Sequence, residues 1–215
     1  MNWVIIPARQ GSKGLPFKNR KLFKYTADSI PPSMDAHVIV STDDPHIRSM
    51  AVCRGFKVHA RDLELCSDTA DINLVLRSIV VDFNIPKEDT IIMLYLTYPT
   101  RTWEQVIEAK IFFDNQEASS LLCREEQEEN EIHPYRWFHE CKKNKGSQIT
   151  KHDLYRRQDY PTMFKASHAI FIAKAGEIKK LNKNLWNKNT IFFPLGKMVD
   201  VDTPEDLKKM KDVKK

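Results

Sequence analysis

The sequence predicts an α/β fold built on a mostly parallel, Rossmann-like sheet. Short apolar runs rich in β-forming residues alternate with segments of helical periodicity, which is the pattern of βαβ units. The chain has 215 residues, of which 41% are hydrophobic and 29% charged, and this is enough for one α/β domain with its own core. We therefore predict a single domain over residues 1–215.

The first half of the chain carries the clearest alternation of elements. Its apolar runs predict strands at Trp3–Ile6, His37–Val40, Thr90–Leu94 and Ser119–Leu122. The segments of helical periodicity predict helices at Pro45–Arg54, Asp71–Phe83 and Thr102–Phe113. Strand, helix and strand at this spacing predict parallel pairing, and ligands of such sheets bind beyond the carboxyl ends of the strands.

The second half begins with a change of pattern. Residues 125–165 are polar, rich in aromatic and basic residues and weakly periodic, which indicates an inserted arm. Three strands are predicted after it, at Ala169–Ile172, Thr190–Phe193 and, as a shorter candidate, Lys197–Val201. A final helix is predicted near Thr203, because Thr203 and Asp206 have the spacing of a capping box and Pro204 suits the first helical position.

Composition excludes several classes of protein. The longest apolar run, Ile91–Leu96, is far shorter than the roughly 20 residues of a membrane span, and no signal peptide is recognisable. The cysteines are far apart and lack a Cys-x-x-Cys motif, which argues against zinc ribbons and disulfide scaffolds; they are Cys53, Cys66, Cys123 and Cys141. We expect a cytoplasmic protein with reduced thiols and no membrane contact. The seven histidines are scattered, and the sequence identifies neither a catalytic histidine nor a partner for a serine nucleophile.

The net charge of +5 is concentrated at the end of the chain. Five lysines lie in the last eight residues: Lys208, Lys209, Lys211, Lys214 and Lys215. Lysines near the carboxyl end of a helix interact favourably with its dipole. A solvated helix end explains them better than a nucleic-acid-binding arm, so we expect no nucleic-acid partner.

The loop after the first predicted strand has the chemistry of a phosphate site. It holds Gly11 and Gly14, two of only six glycines in the chain, and glycines let backbone N–H groups approach a ligand. Its five basic residues are Arg9, Lys13, Lys18, Arg20 and Lys21. The spacing matches neither the Walker A loop nor Gly-x-Gly-x-x-Gly, and the chemistry favours a phosphate loop over a basic turn.

Two carboxylates near the end of the chain form a candidate metal site. Asp200 and Asp202 are two residues apart on a predicted strand, so both should lie on one face. Mg²⁺ or Mn²⁺ bound by carboxylate oxygens would relieve their repulsion. The alternative is that Asp202 only helps Thr203 to cap the next helix. Asp43 and Asp44, next to Pro45, are interpreted as helix-start residues.

The loop sequence Ile-Pro-Ala-Arg-Gln-Gly-Ser-Lys-Gly-Leu-Pro-x-Lys-Asn, residues 6–19, resembles the signature of the acylneuraminate cytidylyltransferases. These are the CMP-sialic acid synthetases and their relatives for other nonulosonic acids. Further segments resemble the family in the same order along nearly the whole chain: 40–44, 61–70, 94–101, 133–137, 156–159 and 200–202.

The resemblance implies a fold of the nucleotide-diphospho-sugar transferase type and a Mg²⁺-dependent reaction. The anomeric hydroxyl of a sugar acid would attack the α-phosphorus of CTP in line, giving a CMP-sugar and pyrophosphate. It also implies a homodimer that pairs through the arm.

The same resemblance implies roles for individual residues. The implied nucleotide-binding residues are Ala8, Arg9, Ser12, Lys13, Lys18, Asn19, Arg61, Ala70 and Tyr95. The implied catalytic residues are Arg9, Lys13 and Asp202, and the implied metal ligands are Asp200 and Asp202. The implied sugar-binding residues are Arg157, Gln158 and Ser167.

Several positions depart from the family pattern. Tyr95 stands where the family has Gln and Leu96 where it has Pro, while Ser167-His168 replaces Asn-Gly. These changes leave two alternatives open: a cytidylyltransferase for an eight-carbon ulosonic acid or another sugar, or a CTP-binding relative with little or no turnover. Phe192 and Phe193 could line the sugar pocket or simply pack in the core.

Overall fold

The structure, a computed structural model, describes residues 1–11, 14–67, 69–126, 133–142 and 145–213. The strands of its main sheet are β1 (Asn2–Pro7), β2 (Val38–Thr42), β3 (Lys57–Ala60), β4 (Thr90–Met93), β5 (Ser120–Glu126), β8 (Phe164–Lys174) and β9 (Thr190–Pro194). A separate two-stranded sheet contains β6 (Phe138–Lys142) and β7 (Lys145–Gln148). The α-helices of the described residues are α1 (Lys18–Ser29), α2 (Pro45–Cys53), α3 (Ile72–Asp82), α4 (Trp103–Asp114) and α5 (Pro204–Val213).

The main sheet has the strand order β3-β2-β1-β4-β8-β5-β9. Only β8 runs antiparallel to its neighbours among these seven strands. The predicted α/β fold with a mostly parallel sheet is therefore confirmed. The carboxyl ends of β1, β2 and β4 lie at one edge of the sheet, where the chain leaves into the loops that carry most of the predicted site.

Each face of the sheet has its own apolar core. On one face, Leu22, Ile47 and Val106 bring α1, α2 and α4 onto the sheet. On the other face, α3 packs through Leu76 against residues 175–185, which include the fully buried Leu185. Complete burial of an aliphatic side chain stabilises the fold by about 1.5–3 kcal/mol, so both faces fix the sheet on which the loops are mounted.

Side chains at two helix starts behave as the sequence predicts, whereas the Asp43 carboxylate accepts from the Gln10 N–H in the loop after β1 and does not cap α2. The Asp44 carboxylate accepts a hydrogen bond from the His46 N–H at 2.9 Å, which confirms its place at the start of α2. Thr203 accepts from the Asp206 N–H at 3.2 Å, while the Asp206 carboxylate accepts from the Thr203 N–H at 3.0 Å. This reciprocal pair is the predicted capping box, and it fixes the start of α5 immediately after Asp202.

Three local predictions differ from the structure. Lys197–Val201 is not a strand: Val201 donates one hydrogen bond to the Thr97 carbonyl at 2.8 Å, and no ladder extends from it in the described chain. Helix α1 was not predicted, because Phe17, the residue that precedes it, provides no capping side chain. Strand β3 was also missed, since it has four residues and only His59 is buried.

The predicted arm at 125–165 includes the small β6–β7 sheet but has different edges. Strand β5 continues to Glu126 and β8 begins at Phe164, where these two residues pair within the main sheet. The insertion therefore lies between them. In the described part of the chain, no helix is both long enough and apolar enough to cross a membrane.

Candidate active site

A cavity of about 450 Å³ opens at the carboxyl ends of β1, β2 and β4. This is the edge at which parallel sheets bind ligands. Its walls come from distant parts of the chain: the loop after β1, the residues after β3, the loop after β4, strand β8 and the segment before α5. It is the only place where most of the predicted site residues in the described chain meet.

The loop after β1 supplies the basic wall of the cavity, with Arg9, Gly11, Lys18 and Asn19. The Asn19 amide donates to the Arg9 carbonyl at 2.8 Å and ties the two ends of the loop together. The Gln10 N–H donates to the Asp43 carboxylate at 2.7 Å. These contacts fix the described ends of the loop, as a preformed anion site requires.

Backbone strain marks the end of this loop. Phe17, which precedes α1, has φ of 56°, a left-handed conformation that costs a non-glycine residue free energy. The Arg20 guanidinium lies 4.7 Å from the centre of the Phe17 ring and supports this turn. The turn makes Lys18 the first helical residue, with its side chain in the cavity wall.

The two predicted metal ligands both line the cavity. They lie on irregular backbone rather than the predicted strand, yet the two-residue alternation persists because Val201 between them is fully buried. The Tyr98 hydroxyl donates to Asp200 at 2.9 Å, and the Lys18 ammonium donates to Asp202 at 2.5 Å. Burial, followed by the Asp200 charge, raises the pKa of Tyr98 above its usual value, so the phenol remains a donor.

The donor set at Asp200 and Asp202 fits a hard divalent cation that keeps part of its shell for water and phosphate. No group of three or more His, Cys, Asp or Glu side chains suited to a metal occurs among the described residues. The protein therefore offers two carboxylates here, as Mg²⁺ sites on nucleotides commonly do. The Lys18 ammonium forms an ion pair with Asp202.

Arg61 forms a second cationic wall next to the loop. Its guanidinium donates to the Ser41 hydroxyl at 3.2 Å and to the Ser41 carbonyl at 3.1 Å. Burial lowers the pKa of Arg61, but an arginine remains charged at neutral pH. Ala70 and Tyr95 lie in the same wall, so a cation, a small residue and an aromatic ring meet there.

Tyr95 gives the cavity an aromatic surface. Burial raises its pKa to about 12, so the ring is neutral in the physiological range. It meets the His168 ring edge to face, with 6.1 Å between ring centres. A neutral ring of this kind can stack on a nucleobase, whereas the glutamine of the family pattern would form hydrogen bonds.

Other predicted site residues lie away from the cavity or outside the described chain. Ala8 is buried behind the loop, and its carbonyl accepts a hydrogen bond from Thr42 at 2.6 Å. Arg157 and Gln158 are exposed on the arm, and Ser167 is buried beside Tyr98; none of the three is among the lining residues. Ser12 and Lys13 fall outside the described residues.

Two residues that sequence reasoning missed also line the cavity. Lys183 and Asn184 stand in a loop held by the buried Leu185, which has φ of 64°. The Asn182 side chain accepts from the Asn184 N–H at 2.8 Å. Sequence analysis did not single out Lys183 and Asn184, because the polar run that contains them has no periodicity. It also precedes β9, whereas ligand-binding residues were expected in loops that follow strands.

Phe192 and Phe193 resolve the alternative that the sequence left open. Phe192 meets the Trp186 ring with centres 5.6 Å apart, and Phe193 meets Phe112 with centres 5.5 Å apart. Both side chains pack against core clusters, and neither is among the lining residues of the cavity. They are core residues.

The family model for cytidylyltransferases matches residues 3–213 of the chain. This chain belongs to the cytidylyltransferase family. The match runs from β1 to the end of α5 and so includes both the basic loop and the two carboxylates of the cavity.

Individual relatives agree with this assignment. The N-acylneuraminate cytidylyltransferase of Streptococcus agalactiae serotype III (strain NEM316) is 30% identical over 94% of this chain and 50% of its own length. This chain therefore spans about half the length of that relative. The CMP-N,N'-diacetyllegionaminic acid synthase of Legionella pneumophila is 25% identical over 94% of this chain and 91% of its own length.

Solved structures support the fold. The structure of a CMP:2-keto-3-deoxy-manno-octonic acid synthetase complexed with CTP superposes with a TM-score of 0.68 at 16% identity, covering 99% of this chain and 98% of that one. A cytidylyltransferase from Leptospira borgpetersenii superposes with a TM-score of 0.59 at 15% identity, covering 98% and 84% of the two chains. At these identities the likeness concerns the fold alone.

Proposed function

We propose that this protein transfers CMP from CTP to a sialic-acid-like sugar acid and releases pyrophosphate. One observation carries the proposal: a single cavity brings the basic side chains Arg9, Lys18 and Arg61 together with the carboxylates Asp200 and Asp202. Cations suit a triphosphate, and paired carboxylates suit the metal ion that accompanies it. Membership of the cytidylyltransferase family supports CTP as the nucleotide.

In the proposed reaction the anomeric hydroxyl of the sugar acid attacks the α-phosphorus in line, and pyrophosphate departs from the opposite side. Such a reaction depends on positioning and on neutralising negative charge. Arg9 and Lys18 bind the phosphate oxygens, and Arg61 holds the nucleotide in its wall of the cavity. Lys13 and Ser12, predicted from the sequence, complete the loop contacts.

Asp200 and Asp202 would hold Mg²⁺ or Mn²⁺. When bound, the ion supplies positive charge that neutralises phosphate oxygens and acidifies a bound hydroxyl. Tyr98 orients Asp200 through its 2.9 Å hydrogen bond, and Lys18 orients Asp202. These two contacts keep the carboxylates on the cavity side when no cation is present.

The acceptor is proposed to be a nonulosonic acid, like the acids in the names of the Streptococcus and Legionella relatives. Lys183 and His168 border the cavity and add positive or hydrogen-bonding character suited to a carboxylate. Arg157, predicted to bind this carboxylate, is exposed on the arm of its own chain. Arg157 can bind the acceptor carboxylate only if the arm of one subunit reaches the cavity of the other subunit.

A homodimer formed through the arm is part of the proposal. The arm exposes Trp137 (48%), Phe138 (67%), Ile149 (57%) and Tyr155 (93%), and exposed apolar residues of this density are typical of an interface. We further propose that the protein works in the cytoplasm. Sedimentation of the active protein as a monomer would contradict the dimer.

The test of the proposed function is pyrophosphate release with Mg²⁺ across a panel of nucleoside triphosphates and acidic sugars. We expect release only with CTP and a nonulosonic acid. Release only with an eight-carbon ulosonic acid would favour the first alternative, a cytidylyltransferase for such an acid. CTP binding without release from any acid would favour the relative with little turnover, while release that prefers another nucleotide would contradict the proposal.

A further inference from the structure

His59 lies behind the cavity wall and is almost fully buried, with 3% of its surface exposed. It stands on β3 directly opposite Ser41 of β2 in the parallel register. Arg61 follows two residues later, so the side chains of His59 and Arg61 leave the strand on the same side. From the other direction, Ser78 and Asp82 of α3 reach the same imidazole.

Four hydrogen bonds connect the surface of α3 to the cavity through this imidazole. The Asp82 carboxylate lies 2.9 Å from Nε2 of His59, and the Ser78 hydroxyl lies 3.2 Å from it. Nδ1 of His59 lies 2.9 Å from the Ser41 hydroxyl. That hydroxyl in turn accepts from the Arg61 guanidinium at 3.2 Å.

The donors and acceptors around His59 indicate which nitrogen carries the hydrogen when the ring is neutral. A carboxylate only accepts, so Nε2 must carry a hydrogen that is donated to Asp82. The Ser41 oxygen accepts from Arg61, and when the imidazole is neutral its own hydrogen is donated to Nδ1. In the neutral imidazole the hydrogen therefore lies on Nε2 and Nδ1 accepts, and burial favours this neutral form because it lowers the pKa of His59.

We propose that His59 is a positioning residue for the nucleotide site, which in its neutral form holds Ser41 and thereby fixes Arg61 in the cavity wall, and which releases that hold when it is protonated. The proposal rests on the proposed function, since it takes Arg61 to bind CTP. His59 itself does not touch the cavity. A serine, a histidine and an aspartate in line are no hydrolytic triad here, because Ser41 is fully buried.

Protonation would turn Nδ1 from an acceptor into a donor. The Ser41 oxygen would then face two donors, Arg61 and His59, and its own hydrogen would lose its acceptor. A second positive charge would also stand next to Arg61. The contact that fixes the guanidinium therefore weakens when His59 gains a proton.

The charged groups that face His59 determine the pH at which it gains a proton. Burial is the largest influence and disfavours the charged imidazole, whereas Asp82 from α3 favours it. Arg61 opposes the charge, and Asp62, after β3, favours it. The balance lowers the pKa of His59, so the neutral form dominates near neutrality and the site weakens only on the acid side.

The experiment measures the dissociation constant of CTP by calorimetry from pH 8 to pH 5 for the wild type, Asp82→Asn and Asp114→Asn. The amide oxygen introduced by Asp82→Asn can still accept from Nε2, but it no longer stabilises the imidazolium, so the acid loss of affinity should move to lower pH. Below the pKa of His59, each pH unit should weaken wild-type binding by up to about tenfold, as the competent neutral fraction falls. Asp114, in a surface pair with Lys110 on α4, is the matched control, and its variant should follow the wild type.

Protonation of CTP itself affects all variants equally and cancels in their ratios. His59→Gln, which cannot titrate, should show no acid loss beyond this common effect. Long-range ¹H–¹⁵N spectra of the histidine rings give a second readout and should assign the hydrogen of His59 to Nε2. These spectra do not depend on the folding of the glutamine variant.

Identical pH profiles for the wild type and Asp82→Asn, with CTP still bound, would overturn this inference alone. A hydrogen on Nδ1 of His59 in spectra recorded at pH 8 would also overturn it. Absence of CTP binding by the wild type at every pH would overturn the proposed function and this inference together. The proposal is supported if CTP affinity is lost at a lower pH in Asp82→Asn than in the wild type, and at the wild-type pH in Asp114→Asn.

Discussion

The Lys18 ammonium lies 2.5 Å from the Asp202 carboxylate, although 184 positions separate the two residues in the chain. The pair joins the basic loop after β1 to the segment before α5. A cationic group thus already occupies the side of Asp202 that faces the cavity. On the proposed function, Lys18 would exchange this carboxylate partner for a phosphate oxygen of the bound triphosphate.

Asp202→Ala should abolish most metal-dependent pyrophosphate release while leaving the fold intact. The side chain of Asp202 is 64% exposed, and exposed substitutions typically change the free energy of unfolding by no more than about 0.5 kcal/mol. Loss of a charged group at the reacting phosphates commonly lowers kcat by about 10²-fold or more. Release rates and thermal melts of Asp202→Ala and the distant Asp114→Ala would be compared. Full activity in Asp202→Ala would contradict the metal assignment.

Gly14→Ala should disturb the loop without disturbing the core. A Cβ at Gly14 would lie 2.6 Å from the Asp202 carbonyl oxygen, which is backbone and cannot swing away. The loop must therefore retreat from Asp202, and we expect a higher KM for CTP and a lower kcat. Gly196→Ala is the matched control, because a Cβ there meets nothing within 4 Å. Equal kinetics for the two alanine variants would show that the close contact is not needed.

The pH dependence of stability should include a contribution from Asp44. Burial raises the pKa of this carboxyl, but hydrogen bonds from Arg20 and from the first amides of α2 outweigh it, and the net pKa lies below the ordinary 3.8. A carboxyl with a depressed pKa stabilises the folded state above its unfolded value and loses this effect as the pH falls through the folded value. Unfolding free energies from urea titrations between pH 3 and 6 should therefore decline towards acid.

Asp44→Asn isolates this charge, because asparagine still caps a helix but cannot pair with Arg20. Its urea titrations should show a shallower decline below pH 5 than those of the wild type. Asp153→Asn, on the exposed arm, is the control and should keep the wild-type slope. Parallel acid declines for the wild type and Asp44→Asn would contradict the role given to this pair.

Arg157→Ala tests whether the arm contributes to the acceptor site. We expect a KM for the sugar acid raised roughly tenfold or more, as for loss of one charged hydrogen bond, with the KM for CTP unchanged. Its neighbour Arg156 is the matched control, because its guanidinium is already paired with Asp159 by two 2.9 Å hydrogen bonds. An unchanged acceptor KM for Arg157→Ala would remove this residue from the site.

The sequence predicted the sheet well because its central strands are short, continuous apolar runs. Strands β1, β2 and β4 begin and end within two residues of their predicted limits. Helix α1 was missed for a local reason, since the left-handed Phe17 that precedes it provides no capping side chain. Propensity and periodicity contain no signal for a helix start that the preceding loop imposes.

The candidate site was predicted from two motifs at opposite ends of the chain. The contact between these two motifs was not predicted. Nothing in the spacing of Lys18 and Asp202 indicates that they meet. His59 looked like an isolated histidine, because its partners Ser41 and Asp82 come from another strand and a helix. Lys183 reaches the cavity only because the buried Leu185 fixes its loop. Such contacts are tertiary and leave no local pattern.

CMP transfer by this protein can be observed by phosphorus-31 NMR of one reaction mixture. The mixture holds the protein, CTP, Mg²⁺ and N-acetylneuraminate, and a parallel sample contains Asp202→Ala. We expect the wild type to convert the triphosphate signals into pyrophosphate and one phosphodiester signal of CMP-sugar in equal amounts, whereas the variant leaves CTP intact. Unchanged CTP with the wild type, for this acid and for every other nonulosonic acid supplied, would contradict the proposed CMP transfer.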